Sequence, residues 1–391
     1  MRSRWTILAV LFVARAAMAF QFQSVAATAP LLGDSLGASL GDIGFLIGLY
    51  LAPGVVLALP GATIGRRHGD KTTVLAGLTM MLAGEMLMTA SAAWNLQIAG
   101  RLIGGTGGVL LNVLMTKMVA DWFAGREIAT AMAVYVNSWP AGIAVALMLL
   151  PATGAAFGMT GVGLAVAAPI VVGIGLMALV YRSPDATPSA GIERAGISAA
   201  TTVALIAAGL IWCLYNIGLA MVFSFGPSML VERGWSNPAA GSAVSVVLWL
   251  ATLSVPLGGV LADRGKRGGA VLTAGCAGFA LLMLALSRGG PVLPLVAAIG
   301  IVGGLPAGTI MSLPARVLDQ RTRSIGMGVF YTVYYAGMLA GPAIGGKLAA
   351  WTGTSTAALD FGAAALLLCP ILLLAFHRAS HLTSPKVVEA G

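Results

Sequence analysis

The chain is a succession of apolar runs, each about as long as a bilayer is thick. Some twenty apolar residues, rising about 1.5 Å each as an α-helix, cross the roughly 30 Å of a hydrocarbon core. Twelve such runs can be drawn, over roughly 5–31, 42–63, 72–91, 95–119, 127–150, 158–181, 198–225, 237–261, 269–287, 291–314, 324–349 and 355–377. In lipid only helices and closed barrels satisfy every backbone donor and acceptor, and barrel strands read as short alternating segments. The expected fold is therefore all-α and integral to a membrane, with twelve transmembrane helices. Charged residues make up 9% of the 391 positions, against about 25% in a soluble domain, so this chain cannot build a water-facing surface.

The connections set an orientation. Of the 22 Lys and Arg, all but Arg15, Arg101, Arg233, Arg288 and Lys347 fall on one side when the runs alternate. Lys and Arg accumulate on the cytoplasmic face, which puts both termini there and accounts for the net charge of +9 without nucleic acid. The amino terminus has a signal peptide's outline, with MRSR, an apolar stretch and Ala17-Met18-Ala19. Arg15 interrupts that stretch and apolar sequence continues to Leu32, so an uncleaved first helix is expected. Residues 182–196, rich in Pro, Ser and charge, read as a cytoplasmic linker between a six-helix bundle over 1–181 and a second over 197–391.

Two turns repeat each other. PGATIGRRHGDK, Pro60 to Lys71, joins the second and third runs; GGVLADRGKR, Gly258 to Arg267, joins the eighth and ninth. Gly61 and Gly258 permit close helix packing, while Arg66, Arg67 and Arg264 hold each turn at the cytoplasmic face. Asp263 can pair with Arg264 or with a neighbouring helix end. REIATAMAVY from Arg126 and RTRSIGMGVF from Arg321 likewise open corresponding fifth helices, which argues for duplication of a six-helix unit. These Gly/Arg turns, with the RLIGGTGG that Arg101 opens in the fourth run, resemble the major facilitator superfamily of transporters. The first copy has Gly65 where that family usually has Asp, and the second is one residue short, so a conformational lock at these turns would rest mainly on the second. The resemblance covers nearly the whole chain. It implies two pseudo-symmetric bundles with a cavity between them that opens to one side at a time.

Polar residues inside the runs mark candidate sites. Arg15 sits near the middle of the first run, where a charge costs several kcal/mol unless it meets water, an acid or an anion. Glu85, toward the outer half of the third run, and Asp360, toward the outer end of the twelfth, lie on helices that the resemblance makes peripheral. An aqueous cavity or an anionic solute is the better partner. At 100° per residue Gly108 and Asn112 fall within about 20° of Arg101; that arginine reads either as a cavity-facing gate or coupling residue, or as a packing residue paired with a carbonyl or acid. Gln23, about 80° from Arg15, is favoured over Gln21, about 120° away on the other side. Trp212, Tyr215 and Asn216 share a face of the seventh run, and Tyr331, Tyr334 and Tyr335 one of the eleventh. A tyrosine stripe offers uncharged hydroxyl donors beside an arginine; it reads equally as helix packing. Asn137 and Pro140 would free or occupy carbonyls at a bend in the fifth run. That region loosely resembles the fifth helix of the nitrate/nitrite and cyanate branch.

Absences narrow the function. No apolar run carries a histidine, the cysteines Cys213, Cys276 and Cys369 are scattered singly, and no GxxxxGK[ST] occurs. Metal and nucleophile chemistry, ATP-driven pumping and a cofactor are not expected. The expectation is a monomeric secondary transporter in the plasma membrane, of the bacterial inner-membrane type, that moves a small, anionic solute. It is nearest in flavour to cyanate/nitrate-type and monocarboxylate-type members. Arg15, Gln23, Asn112, Asn137, Trp212, Tyr215, Asn216, Tyr334 and Tyr335 would shape its site. A proton-coupled exporter of drugs or hydrophobic metabolites is the alternative, and protons or a counter-anion stay open as coupling partners.

Overall fold

A computed structural model describes residues 4–58, 60–123, 128–183, 197–264, 268–318 and 322–381. The helices are α1 (Arg4–Ala27), α2 (Ala29–Leu36), α3 (Leu40–Leu49), α4 (Pro53–Leu57), α5 (Gly61–His68), α6 (Asp70–Ala90), α7 (Trp94–Trp122) and α8 (Ile128–Val136). Then follow α9 (Ser138–Leu179), α10 (Ala199–Glu232), α11 (Asn237–Arg264), α12 (Gly268–Ser287), α13 (Val292–Ser312), α14 (Arg323–Thr352) and α15 (Thr356–His381).

These helices make twelve membrane crossings in two sets of six, with differences from the expected runs that prolines and glycines explain. The second run is broken into α3, α4 and α5. Pro53 has no N–H for the Leu49 carbonyl, which the Ala52 N–H takes instead at 3.2 Å. The fifth and sixth runs meet in α9, which with the end of α8 makes one apolar stretch, Val134–Leu179, 46 residues long. Straight, it would extend about 69 Å, over twice a hydrocarbon core. It reverses at Gly158, where φ is 63° and ψ −166°, a conformation that essentially only glycine adopts. Gly142 and Gly173, on either side of that reversal, both pack against α1 between Ala14 and Ala19.

Small residues bring the helices together. Gly77 and Gly84 of α6 meet the backbone of α7 at Gly107 and Gly100, contacts that a side chain would obstruct. Such close approach is how helices associate in lipid, where burial of apolar surface gives little drive.

The two sets, α1–α9 and α10–α15, meet at the end of the bundle away from Arg4, here the far end. Gly44 packs on the Pro342 and Gly346 backbone, Gly48 on Leu339, and Gly241 on Leu147 and Pro151. Gln23 donates to the Phe223 carbonyl at 2.8 Å, and Phe22 meets the Phe223 ring edge-on at 6.1 Å. Residues 17–29 of α1 and α2 and 220–230 of α10 are buried throughout. The innermost link is at mid-span, where Asn112 donates to the Tyr335 hydroxyl at 3.3 Å.

Candidate functional site

Arg15 is held at the break between α8 and α9. Pro140 lacks the N–H that would satisfy the Val136 carbonyl, leaving an acceptor inside the membrane. Arg15 Nη1 donates to that carbonyl and to Tyr135 O, both at 3.1 Å, and weakly to Ser138 Oγ at 3.5 Å. Its Nε donates to Asn112 Oδ1 at 2.9 Å. The guanidinium also lies 4.6 Å from the Tyr135 ring centroid and 6.0 Å from that of Trp139. All these partners are neutral. Nη2 has no acceptor among the described residues, so among them the charge meets no counter-charge and two N–H groups are uncommitted.

Asn112 connects this cation to the second set through Tyr335, which Gly54 admits by having no side chain. Tyr335 leans on Tyr334 at 5.1 Å and Tyr331 at 6.4 Å, and Trp212 faces Tyr334 at 6.2 Å and stacks on Tyr215 at 5.6 Å. The first set thus supplies a cation and an amide, and the second an aromatic wall.

The other candidates lie elsewhere in the assembly. Gln23 is fully buried in the far-end seal, and its Oε1 has no hydrogen-bond partner among the described residues. The Tyr215 hydroxyl is committed to the Gly303 carbonyl at 2.7 Å, and the Asn216 amide to Trp212 O, also at 2.7 Å. Asn137 sits at the helix break, half-buried, where its carbonyl accepts the Ala141 N–H at 3.1 Å. Gly258 lets α11 pack on the Leu305 backbone. Gly61 begins α5 and Arg67 is exposed; the side chains of Arg66, Asp263 and Arg264 lie outside the described residues.

Arg101 takes the packing arrangement. Only 1% exposed, it donates to the Leu46, Gln21 and Phe22 carbonyls, each at 3.0 Å. Its guanidinium stands 4.6 Å from the Tyr50 ring centroid. Tyr50 donates to Gln21 Oε1 at 3.0 Å, and Gln21 Nε2 donates to Glu85 Oε2 at 3.1 Å and to Met81 O at 2.8 Å. Gln21 and Glu85, which helical-wheel angles and the outer position of the third run disfavour, thus sit in one buried network with Arg101. A lone carboxylate in an apolar run was the available signal.

The profile of the Major Facilitator Superfamily matches over residues 11–235 and again over 208–390. The chain belongs to the Major Facilitator Superfamily. Two solved structures share the fold of this superfamily member: a bacterial homolog of the human lysosomal transporter Spinster, inward-facing and occupied, and the same homolog inward-facing and unoccupied. Each has a TM-score of 0.75 over 97% of this chain and 96% of the other, at 15% identity. In sequence the chain is similar to a methylenomycin A resistance protein of Bacillus subtilis (strain 168), 27% identical over 121 residues, 31% of this chain and 25% of that protein. It is also similar to the inner membrane transport protein YajR of Escherichia coli (strain K12), 29% identical over 116 residues, 29% of this chain and 25% of that one. Both matches span about a quarter of the relatives' own length.

In this superfamily member the first Gly/Arg turn is braced from both sides. Lys71 Nζ donates to the Ala178 and Tyr181 carbonyls at the end of α9, each at 2.9 Å, where a cation suits a helix C-terminus. Asp70 takes Lys117 of α7 at 2.6 Å, and Lys117 also reaches Asp121 at 3.1 Å. Gly65, in the position where the family usually has an acid, packs against Leu114, and Asp70 supplies the carboxylate at this turn.

Proposed function

We propose that this chain is a secondary transporter that moves a small, negatively charged solute by alternating access. The observation that carries the reading is Arg15, a mid-membrane cation that among the described residues has only neutral partners and two uncommitted N–H groups, beside the junction of the two sets. A carboxylate could take both Nη2 donors while its apolar part lies along Tyr334, Tyr335 and Trp212. The bundles over 1–181 and 197–391 would rock about this site, joined by the cytoplasmic stretch 182–196. The Lys and Arg bias supports cytoplasmic termini in the plasma membrane, so a bundle joined at the far end would be open to the cytoplasm. The chain is expected to work as a monomer.

A second reading is supported by the same aromatic wall: export of a drug or hydrophobic metabolite, in line with the similarity to a methylenomycin A resistance protein. Thermal stabilisation of the purified protein separates the two, because a ligand of the folded state raises the melting temperature by mass action. Stabilisation by members of a panel of small carboxylates and inorganic anions, lost in Arg15→Gln, supports the anion reading. Stabilisation by lipophilic cations alone, equal in Arg15→Gln, replaces it with the exporter.

A further inference from the structure

At the far end each set of helices leaves one backbone carbonyl facing the other set. Pro227 in α10 has no N–H for the Phe223 carbonyl, and Pro151 in α9 has none for that of Leu147. Inside a membrane such an acceptor needs a donor from elsewhere. Gln23 of α1 reaches across and donates Nε2 to Phe223 O at 2.8 Å. Gly241 of α11 packs directly on Leu147 O, where a side chain would collide. Among the described residues, Gln23 to Phe223 is the only side-chain-to-backbone hydrogen bond between the sets. It is also the only polar contact of the Gln23 amide, which is fully buried and whose Oε1 has no partner among those residues. One turn farther along α1, Ala27 and Thr28 line a cavity of about 50 Å³ with Pro151, Gly154 and Asn237. A water needs roughly 10–15 Å³ and a few polar partners, so there is room for far-side water one turn from Gln23.

We propose that Gln23 and Pro227 form a latch between the sets: the proline vacates a carbonyl of α10, and the glutamine of the opposite set fills it only while the far end is closed. Closing completes the hydrogen bonding of α10, and opening undoes it. With an ordinary residue at 227 the Phe223 carbonyl would be satisfied within α10, and Gln23 would meet an acceptor already in use. Pro227 is thus a closing element, although a proline inside a helix ordinarily counts against stability. Parting the sets hands Phe223 O and both ends of the Gln23 amide to far-side water, which is enthalpically nearly as good a partner. Water also pairs the Oε1 that the closed seal leaves orphaned, and an orphaned buried acceptor opposes burial. The latch is weak by construction, so the seal it holds is one that opens readily. Pro140 differs in this respect, because the donor to Val136 comes from the same set and does not tie the two together. That opening admits a solute rests on the transporter reading; the latch does not.

The test needs no solute and leaves Arg15 untouched. Spin labels on Phe157→Cys and Trp351→Cys, 74% and 85% exposed at the far ends of the two sets, report the seal in detergent-solubilised protein; Cys213, Cys276 and Cys369 are buried. Pro227→Ala returns the missing N–H and should raise the ratio of long to short inter-label distances about 2- to 10-fold, as expected for one hydrogen bond. Gln23→Leu should raise it by a similar factor. The two together should give no more than Pro227→Ala alone, because in that background Gln23→Leu removes an amide that has lost its acceptor. Pro370→Ala, whose vacated Leu366 carbonyl lies within the second set beside Gly218, should leave the ratio at its wild-type value. Hydrogen exchange needs no proline variant: Gln23→Leu and Gln23→Asn, which is too short to reach Phe223, should both speed exchange over 224–232 and leave α15 unchanged. A wild-type ratio in Pro227→Ala overturns the proposal. So does Gln23→Leu that opens the seal equally with and without Pro227, or that leaves exchange in α10 as it was. Because anion stabilisation through Arg15 is read separately, failure here leaves that reading standing, and its failure leaves this one.

Discussion

Asn112 holds Arg15 with its amide oxygen at 2.9 Å and Tyr335 with its amide nitrogen at 3.3 Å, so one side chain joins the cation to the opposite set of helices. Among the described residues it is the only side-chain-to-side-chain hydrogen bond that crosses between the sets. A solute that engages Arg15 therefore acts beside the innermost point of contact, where a small displacement changes how far the two sets stay together.

Arg15→Lys tests the geometry of that contact. Lysine keeps the charge but not the planar fork, and one ammonium cannot serve Val136, Asn112 and a carboxylate together. Loss of a charge-assisted hydrogen bond of about 1.5–3 kcal/mol predicts about 10- to 100-fold weaker anion binding. Calorimetric titration of both proteins with the anion that stabilises the wild type measures it.

Gly48→Leu should favour the far-open state. The added side chain would meet the Leu339 backbone, and overpacking of this kind costs about 1–3 kcal/mol, all of it in the closed state. A cysteine placed at Ala27, which is 4% exposed, should react with a soluble thiol reagent at least several-fold faster in that background. An unchanged rate would mean that the seal does not depend on this approach.

Arg101→Met should damage folding rather than affinity. It orphans three buried carbonyls, and each buried acceptor left unsatisfied costs about 1–3 kcal/mol. A large fall in melting temperature and poor recovery from detergent are expected. Normal stability with lost anion binding would instead place Arg101 at the solute.

Asp70→Asn should do much less. The ion pair with Lys117 has side chains 18% and 44% exposed, and pairs open to water contribute at most about 1 kcal/mol. A melting temperature within a few degrees of wild type, with the difference shrinking at high salt, is the expected outcome.

The fold was legible because lipid removes almost every alternative to a helix, so runs of apolar residues count crossings directly. The break at Pro53 and the reversal at Gly158 refine those runs without changing their number. The candidate site was legible only in part. Arg15, Asn112 and Tyr335 announce themselves as polar groups in apolar runs, and the structure brings them together. The sequence could not say that the Tyr215 hydroxyl is spent on the Gly303 carbonyl, because backbone acceptors leave no mark in composition. Nor could helical angles place Gln21 with Arg101 and Glu85, since three helices fix that meeting and each wheel describes one.

Pro140 removes a single N–H from the fifth crossing, and a guanidinium from another helix replaces it. The continuity of that crossing is thus borrowed from the residue that the proposed function also assigns to the solute. On that proposal, a carboxylate that drew Arg15 toward itself would release the Val136 carbonyl and give the crossing a free joint at mid-membrane, and its departure would stiffen the joint again. Occupancy would then be felt as a change in bending along a whole helix, conveyed by one arginine that can complete a backbone or neutralise a cargo but does each at the expense of the other.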